Sequence, residues 1–385
     1  MGERCLVTGA SGFIGRALCQ ELTARGRAVR AVMRRRAEGP WEEQVSLDLA
    51  AGAPDPLERA RPDPLERARP DPLERARPDP LERARPDPLE WARPDRLERG
   101  RPVPAELLAD VEVVFHLAGK VHDLAERVPD EAAYRAANAD ATRALLTAAV
   151  AAGVPRFVFM SSLAVVGDTG RALADESAAT PPATPYGRSK LEAERLVLAA
   201  GERHGMHVCN LRPALVYGPG AKGNLPRMLE AIDRHRFPPV PELGNRRSLV
   251  GVDDVVRAAL LAAERQEAAG QTYVVTDGRA YSTRGMYVAM ARALGREPGA
   301  ATVPRWCLAG LARAGDLVGR ARGRRFVFDS AALERLTGSA WFSAAKIARE
   351  LGWRPTQTLE AALPAMVAEY RDGRAPRAPG GPAAA

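Results

Sequence analysis

Two kinds of apolar segment alternate along this chain: short unbroken runs, and longer stretches with a three-to-four-residue period. Arg4-Cys5-Leu6-Val7-Thr8 reads as a buried strand, and Leu18 and Leu22 mark the amphipathic helix that follows and closes at Gly26. Ala28-Val29-Arg30-Ala31-Val32-Met33 predicts a second strand and Val45-Ser46-Leu47-Asp48-Leu49 a short third. Val111 to Phe115 predicts a fourth, running into the small residues Ala118 and Gly119. Arg156 to Met160, Leu211 to Val216 and Tyr273-Val274-Val275 follow as further strands. A helical pattern through Leu145, Leu146 and Ala149 lies between two of them, and Ser282-Thr283 caps another through Met290 and Leu294. Strands alternating with helices predict an α/β fold built on a parallel sheet. From Val303 to Arg325 the chain is amphipathic and Arg-rich, which reads as a lobe helix, with contact to a membrane surface or a partner as the alternative.

One stretch breaks the pattern. Arg-Pro-Asp-Pro-Leu-Glu-Arg-Ala recurs through residues 53–100 in six decaying copies. Each copy carries a helix start, with Asp63 as cap, Pro64 at the first position and Glu66 two residues on. Two prolines in eight residues forbid a continuous helix, and one Leu per unit is too little to bury a core. Each unit is charge-neutral, so a nucleic-acid arm is not indicated. The expectation is a replicated surface insertion, dispensable for chemistry, whose partner is unknown; a binding role is the alternative.

Length and composition add bounds. The chain's 385 residues suggest two domains, or one large α/β domain with a lobe, and 46% hydrophobic content is ample for a core. The net charge of +8 suits an anionic ligand, but no basic stripe interleaved with aromatics argues for nucleic acid. Cys5, Cys19, Cys209 and Cys307 have no metal or disulfide spacing, so no metal site is expected and a reducing cytoplasm is. A strand beginning near Arg4 leaves no room for a signal peptide, Leu6 replaces the Ser or Thr that myristoylation prefers, and no apolar run is long enough for a membrane span.

The chemistry concentrates in three places. Between the first strand and first helix lies Gly9-Ala10-Ser11-Gly12-Phe13-Ile14-Gly15. There Gly9 would make a tight turn, Gly12 admit a pyrophosphate to the backbone and Gly15 let helix pack on sheet, with the phosphates on the helix N-terminus. Tyr186 and Lys190 are four apart, so a helix places them on one face, where the ammonium is expected to lower the phenol's pKa. Such a pair can move the proton of a sugar or steroid hydroxyl while a nicotinamide exchanges hydride. Ser161 and Ser162 end the fifth strand at the edge where ligands of such sheets bind.

The G-x-x-G-x-x-G spacing, His116-Leu117-Ala118-Gly119, Asn138 with Thr142, Ser162 with Val165 and Gly167, Tyr186 with Lys190, Leu211-Arg212-Pro213 through Gly218-Pro219, Arg247 through Asp253-Asp254, and Leu351-Gly352-Trp353 with Pro355 together resemble the extended short-chain dehydrogenase/reductases. Within them they resemble the NAD-dependent epimerase/dehydratase family, in the subgroup of UDP-hexose 4-epimerases and 4-keto-sugar reductases. The resemblance implies a doubly wound parallel (Rossmann) sheet over 1–52 and 101–275, crossing at 217–247 to a smaller C-terminal substrate lobe at 276–372; beyond it, 373–385 reads as a disordered tail. It makes Ser162, Tyr186 and Lys190 the catalytic set. It assigns NAD or NADP to Gly9, Ser11, Gly12, Phe13, Ile14, Gly15, Asp48, Leu49, Leu117, Ala118, Gly119, Tyr186, Lys190 and Pro213. It assigns the substrate, a nucleotide-sugar, to Ala164, Asn224 and Arg247. Asn138 is expected to steady the central strands, the closing Trp353 stretch to pack the lobe, and His122 is a loop candidate for the substrate.

Two departures shape the expected function. Arg34, followed by Arg35 and Arg36, stands where NAD-preferring relatives carry an acid, and a guanidinium suits a 2′-phosphate, which leans the cofactor toward NADP(H). Leu163 and Ala164 replace the acidic pair of sugar dehydratases and cannot transfer protons, leaving hydride transfer at a single carbon. An NAD(P)-dependent epimerase or oxidoreductase acting at C4 of a UDP-hexose is therefore expected. The alternatives are an NADPH-dependent reductase of 4-keto-sugars or of other carbonyl or steroid-type substrates, and a non-catalytic NADP(H)-binding regulatory or scaffold protein. A homodimer is left open.

Overall fold

The computed structural model describes residues 3–50, 103–121, 130–167, 169–170, 172–178, 182–298, 302–322 and 328–373. The octad repeat, His122 and the tail from residue 374 lie outside them. The strands are β1 (Arg4–Thr8), β2 (Ala28–Met33), β3 (Glu43–Ser46), β4 (Val111–His116), β5 (Arg156–Met160), β6 (His207–Pro213), β7 (Leu215–Tyr217), β8 (Leu249–Gly251) and β9 (Gln271–Val275). A seven-stranded sheet has the order β3-β2-β1-β4-β5-β6-β9, and its strand pairings are parallel. β7 and β8 form a second, two-stranded parallel sheet.

Both faces of the large sheet are covered, which is why its central strands read as unbroken apolar runs. Cys5 and Val7 of β1 enter one core cluster, with Leu18 and Leu22 of α1 (Phe13–Ala24) and Val255 and Ala259 of α6 (Val252–Glu264). Leu6, between them in sequence, enters the opposite cluster. There it joins Leu145 and Leu146 of α3 (Ala141–Ala151) and Leu196 and Val197 of α4 (Pro185–His204). A third cluster gathers Leu225 and Leu229 of α5 (Asn224–Asp233), Met286 and Met290 of α7 (Thr283–Ala293), and Leu363 and Met366 of α11 (Leu359–Asp372). Ser282 caps α7 as the sequence indicates, its Oγ accepting from the Gly285 amide at 2.9 Å.

The third strand runs Glu43–Ser46, two residues earlier than the apolar pattern suggests. Its register is held by charge: Glu43 lies opposite Arg30, whose Nε donates to the Glu43 carboxylate at 2.5 Å. Arg30 is buried and its guanidinium also reaches the carbonyls of Leu107 and Ala109 at 2.8 and 3.0 Å. Asp48 therefore falls beyond the strand, where its carboxylate accepts from the Ala50 amide at 3.0 Å.

A second difference concerns the closing Trp353 stretch. Ile347 and Leu351 of α10 (Ala345–Leu351), and Trp353 after it, pack on the sheet rather than inside the lobe. The cause is an indole N–H donated to the Asp254 carbonyl at 3.0 Å, on the helix covering that face. At the free edge of β9, Glu176 accepts from the Val274 amide at 2.7 Å and Lys346 donates to the Thr272 carbonyl at 3.1 Å. Both remove edge groups that would otherwise pair with another chain.

Candidate active site

Strand order reverses beside β1, so the crevice at the C-terminal ends of β1 and β4 is where such a sheet binds its ligand. Gly9 leaves β1 with φ of +69° and its amide donates to Val32 at 2.9 Å. A Cβ there would lie 2.8 Å from the Ala118 amide nitrogen, so only glycine lets the two strand exits come this close. Gly15 is as confined, its hypothetical Cβ 2.2 Å from the Gly9 carbonyl oxygen. Gly12 caps α1 with no side chain bonded to the helix amides and no acid in the first turn. A helix start bare of side-chain caps and negative charge offers its N–H groups to an anion. This cradle fits a dinucleotide pyrophosphate. At the end of β2, Arg34, Arg35 and Arg36 are all exposed, and Asp48 is exposed beyond β3.

The proton-handling side chains lie at the ends of β5 and α4. Ser162 has extended backbone, and its Oγ accepts from the Ala164 amide at 3.2 Å, closing the short 3-10 turn Leu163–Val165. The same hydroxyl lies beside the Tyr186 phenol and favours its ionised form. Tyr186 sits in the first turn of α4, which Thr184 caps through the Gly187 amide at 3.1 Å and Pro185 opens. Gly187 sets how near α4 comes to the β5 exit: a Cβ would lie 2.3 Å from the Ala164 carbonyl oxygen.

The ammonium of Lys190 does not act on the phenol as the bare i, i+4 spacing suggests. Its Nζ donates to the Met160 carbonyl at 2.8 Å and lies 4.5 Å from the centroid of the Phe159 ring. Burial pushes its pKa down to about 8, with Glu194 acting in the opposite direction. Burial also raises the Tyr186 pKa, and the counteracting influence is the Ser162 hydroxyl. The expected lowering of the phenol's pKa by its neighbour is therefore corrected for the protein alone: the hydroxyl, not the ammonium, favours the phenolate.

Asn138 lies in a π-helical turn, Ala136–Asp140, inserted between α2 (Glu131–Arg135) and α3. Its side chain accepts from the Lys120 amide at 2.8 Å, and donates to the Lys120 carbonyl at 3.1 Å and to Ser189 Oγ at 2.9 Å. Ser189 in turn donates to the Tyr186 carbonyl at 2.9 Å. Asn138 thus ties the loop after β4 to the helix bearing Tyr186, rather than bracing the strands themselves. π-turns of this kind often mark functional positions.

Deeper, Thr142 donates to the Asn138 carbonyl at 2.5 Å, so His116 Nε2, 2.9 Å away, must carry the proton that Thr142 Oγ1 accepts. His116 Nδ1 then accepts from Thr8, at 2.7 Å, and Thr8 Oγ1 accepts from the Ala118 amide at 3.1 Å. His116 is fully buried and neutral, its pKa pushed down to about 3 by burial first and the Lys190 charge second.

The remaining candidates are spread more widely. Leu117, Ala118 and Gly119 follow β4 at the cradle, and a Cβ on Gly119 would meet the Asn138 side chain at 2.5 Å. Pro213 is buried at the end of β6, and Asn224 is exposed at the start of α5. Arg247 is half-buried, and its guanidinium donates to the Arg335 carbonyl in α9 (Ser330–Thr337). Two residues that the sequence gives no role, Glu194 and the Arg212 of the Leu211-Arg212-Pro213 motif, form a bidentate pair, Nε to Oε1 at 2.8 Å and Nη2 to Oε2 at 2.7 Å. Glu194 stands one turn beyond Lys190, and that i, i+4 spacing is the signal that could have flagged it. Among the described residues no three His, Cys, Asp or Glu side chains are placed to hold a metal ion, and no helix is long and apolar enough to cross a membrane.

Comparison with known proteins gives the site a setting. A model of the NAD dependent epimerase/dehydratase family matches residues 5–276. A UDP-glucose 4-epimerase of Vibrio cholerae is 31% identical over 258 residues, covering 66% of this chain and 75% of that one. A 4-hydroxy-2-methyl-3-oxo-4-farnesyl-3,4-dihydroquinoline-1-oxide ketoreductase of Stigmatella aurantiaca is 29% identical over 322 residues, covering 83% and 81%. Among solved structures, MoeE5 in complex with UDP-glucuronic acid and NAD superposes with a TM-score of 0.67 at 25% identity, covering 97% of this chain and 100% of that one.

Proposed function

The chain belongs to the NAD dependent epimerase/dehydratase family and is an NAD-dependent epimerase or reductase, and from that premise we propose that it transfers hydride at C4 of a UDP-hexose through Ser162, Tyr186 and Lys190. The observation that carries this reading is the close approach of α4 to the β5 exit at Gly187, which sets Tyr186 beside Ser162 on the same sheet edge as the bare helix start at Gly12. Gly9, Ser11, Gly12, Phe13, Ile14 and Gly15 would hold the dinucleotide phosphates, Leu117, Ala118 and Gly119 would flank its adenosine and pyrophosphate, and Pro213 would pack near the nicotinamide. A bound nicotinamide supplies the hydride acceptor or donor.

The chain's own residues handle the proton. Tyr186 takes the proton of the C4 hydroxyl as that carbon is oxidised and returns it when the carbon is reduced. Ser162 shares the hydrogen bond to the same oxygen and holds the phenol's orientation. Lys190 would bind the nicotinamide ribose, and its positive charge would favour the phenolate once cofactor and substrate exclude water. Leu163 and Ala164 have no group able to eliminate water from the sugar, so the chemistry ends at C4. Asn224 and Arg247 are assigned to the nucleotide diphosphate; Arg247 would exchange the Arg335 carbonyl for it.

A second reading, net reduction of a ketone with NADPH, is favoured by the exposed Arg34, Arg35 and Arg36 at the end of β2 and by the ketoreductase likeness. Incubation with UDP-glucose, UDP-galactose or a 4-keto-hexose nucleotide, with and without added NADPH, and chromatography of the products separates the two. Interconversion without added nucleotide supports the epimerase. Turnover of ketones only with NADPH supports the reductase. No conversion of UDP-hexoses or ketones under either condition sinks both.

A further inference from the structure

The outer face of α8 (Arg305–Ala321) combines exposed apolar side chains with unopposed positive charge. Trp306, Leu311 and Leu317 are 77%, 55% and 64% exposed, three of the six exposed large apolar side chains among the described residues. Trp306, Arg313, Leu317 and Arg320 fall at i, i+7, i+11 and i+14, one stripe on the helix surface. Scattered exposed apolar residues, such as Leu311 away from this stripe, need no explanation, but Trp306 and Leu317 together on one stripe do. Leu308 and Ala312, buried, face the other way.

The charge on this face has one sign. Arg313 and Arg320 are exposed on it, and neither makes an ion pair with another described residue. The single acid of the helix, Asp316, is turned toward α9, where it accepts from the Ser330 amide at 3.1 Å and the Ser330 hydroxyl at 2.5 Å.

We propose that this face docks α8 flat on a lipid surface bearing anionic headgroups. Indole and leucyl side chains enter the boundary between headgroups and acyl chains, while guanidinium groups on the same stripe reach the phosphates. The narrow apolar stripe with arginines on it fits a plane of phosphates with hydrocarbon beneath. Each arginine near such a surface strengthens partition roughly fivefold, and the apolar pair adds a part that salt does not screen.

The test is co-sedimentation of the full chain with vesicles of phosphatidylcholine, with and without phosphatidylglycerol. The wild-type chain is expected to bind the anionic vesicles at least about tenfold better than the neutral ones. Trp306→Gln/Leu317→Gln, which leaves the charge unchanged, and Arg313→Glu/Arg320→Glu should each lower that binding about tenfold or more with the melting temperature and turnover unchanged. Absence of wild-type binding at low salt overturns the proposal. So does undiminished binding by both variants, which would place the attraction in the net charge elsewhere. A concentration-dependent dimer on gel filtration that Trp306→Gln/Leu317→Gln abolishes would give the face to a second copy of the chain, and also overturns it.

Discussion

The Glu194–Arg212 pair makes a prediction that separates its role in the fold from its role in the site. Both side chains are nearly buried, 3% and 11% exposed, and they join α4 to β6 in a bidentate geometry. Glu194→Gln keeps the shape and removes the charge, which leaves Arg212 cationic and without its counter-ion. Breaking one partner of a buried pair costs about 3–5 kcal/mol, whereas replacing both with apolar residues of similar volume is often neutral. With unfolding entropy of about 2 cal/mol/K per residue over the ordered part of the chain, that cost corresponds to a fall of about 5–8 °C in melting temperature. The double variant Glu194→Leu/Arg212→Leu should recover most of it. The site should respond separately: Glu194 is what opposes the burial-driven fall of the Lys190 pKa, so both variants should move the alkaline limb of kcat/KM to lower pH. Calorimetry and a pH–rate profile on the same samples check both halves. A Glu194→Gln chain that melts within about 1 °C of the wild type would refute the burial argument, and an unmoved alkaline limb would refute the link to Lys190.

Three further outcomes follow from the same geometry. Gly187→Ala places a methyl group 2.3 Å from the Ala164 carbonyl oxygen, so overpacking of about 1–3 kcal/mol should outweigh a helix-propensity gain of about 1 kcal/mol; a more stable variant in thermal denaturation would show that α4 has room to move. With Lys190 titrating at about 8 in the protein alone, kcat/KM should fall above that pH, and a profile flat to about pH 10 would mean the ammonium is unperturbed. His116 is held neutral with its pKa at about 3, so between about pH 6.5 and 3 the unfolded chain binds the proton the folded chain refuses. Stability should therefore fall with pH in that window, by up to about 1.4 kcal/mol per unit from this group, and His116→Gln should flatten the slope in acid denaturation.

Local patterning carries much of the architecture. The β1–turn–α1 unit and β2 follow from apolar runs, glycine spacing and a closing glycine, all within a few residues of one another. β3 does not, because its register depends on the side chain of Arg30, a contact across the sheet that apolar periodicity does not encode. The same limit applies at the site. Tyr186, Lys190 and Ser162 are legible as residue types at characteristic spacings. The acceptor of Lys190, the carbonyl of Met160, is visible only once β5 and α4 are side by side. Asn138 is legible as a polar residue opening a helix, but the π-turn that aims it at Lys120 and Ser189 is not. Arg212 sits in a stretch readable as a strand, and nothing local says that its partner is a glutamate on the helix before it.

The most direct test of hydride transfer at C4 through Tyr186 uses a UDP-hexose deuterated at that carbon, turned over by the wild-type chain and by Tyr186→Phe. Deuterium should remain on the sugar product or appear in the reduced nicotinamide, with a primary isotope effect, and Tyr186→Phe should turn over at least about 100-fold more slowly while staying folded and holding its nucleotide. Loss of the label to water, or a Tyr186→Phe rate equal to the wild type, would contradict the account.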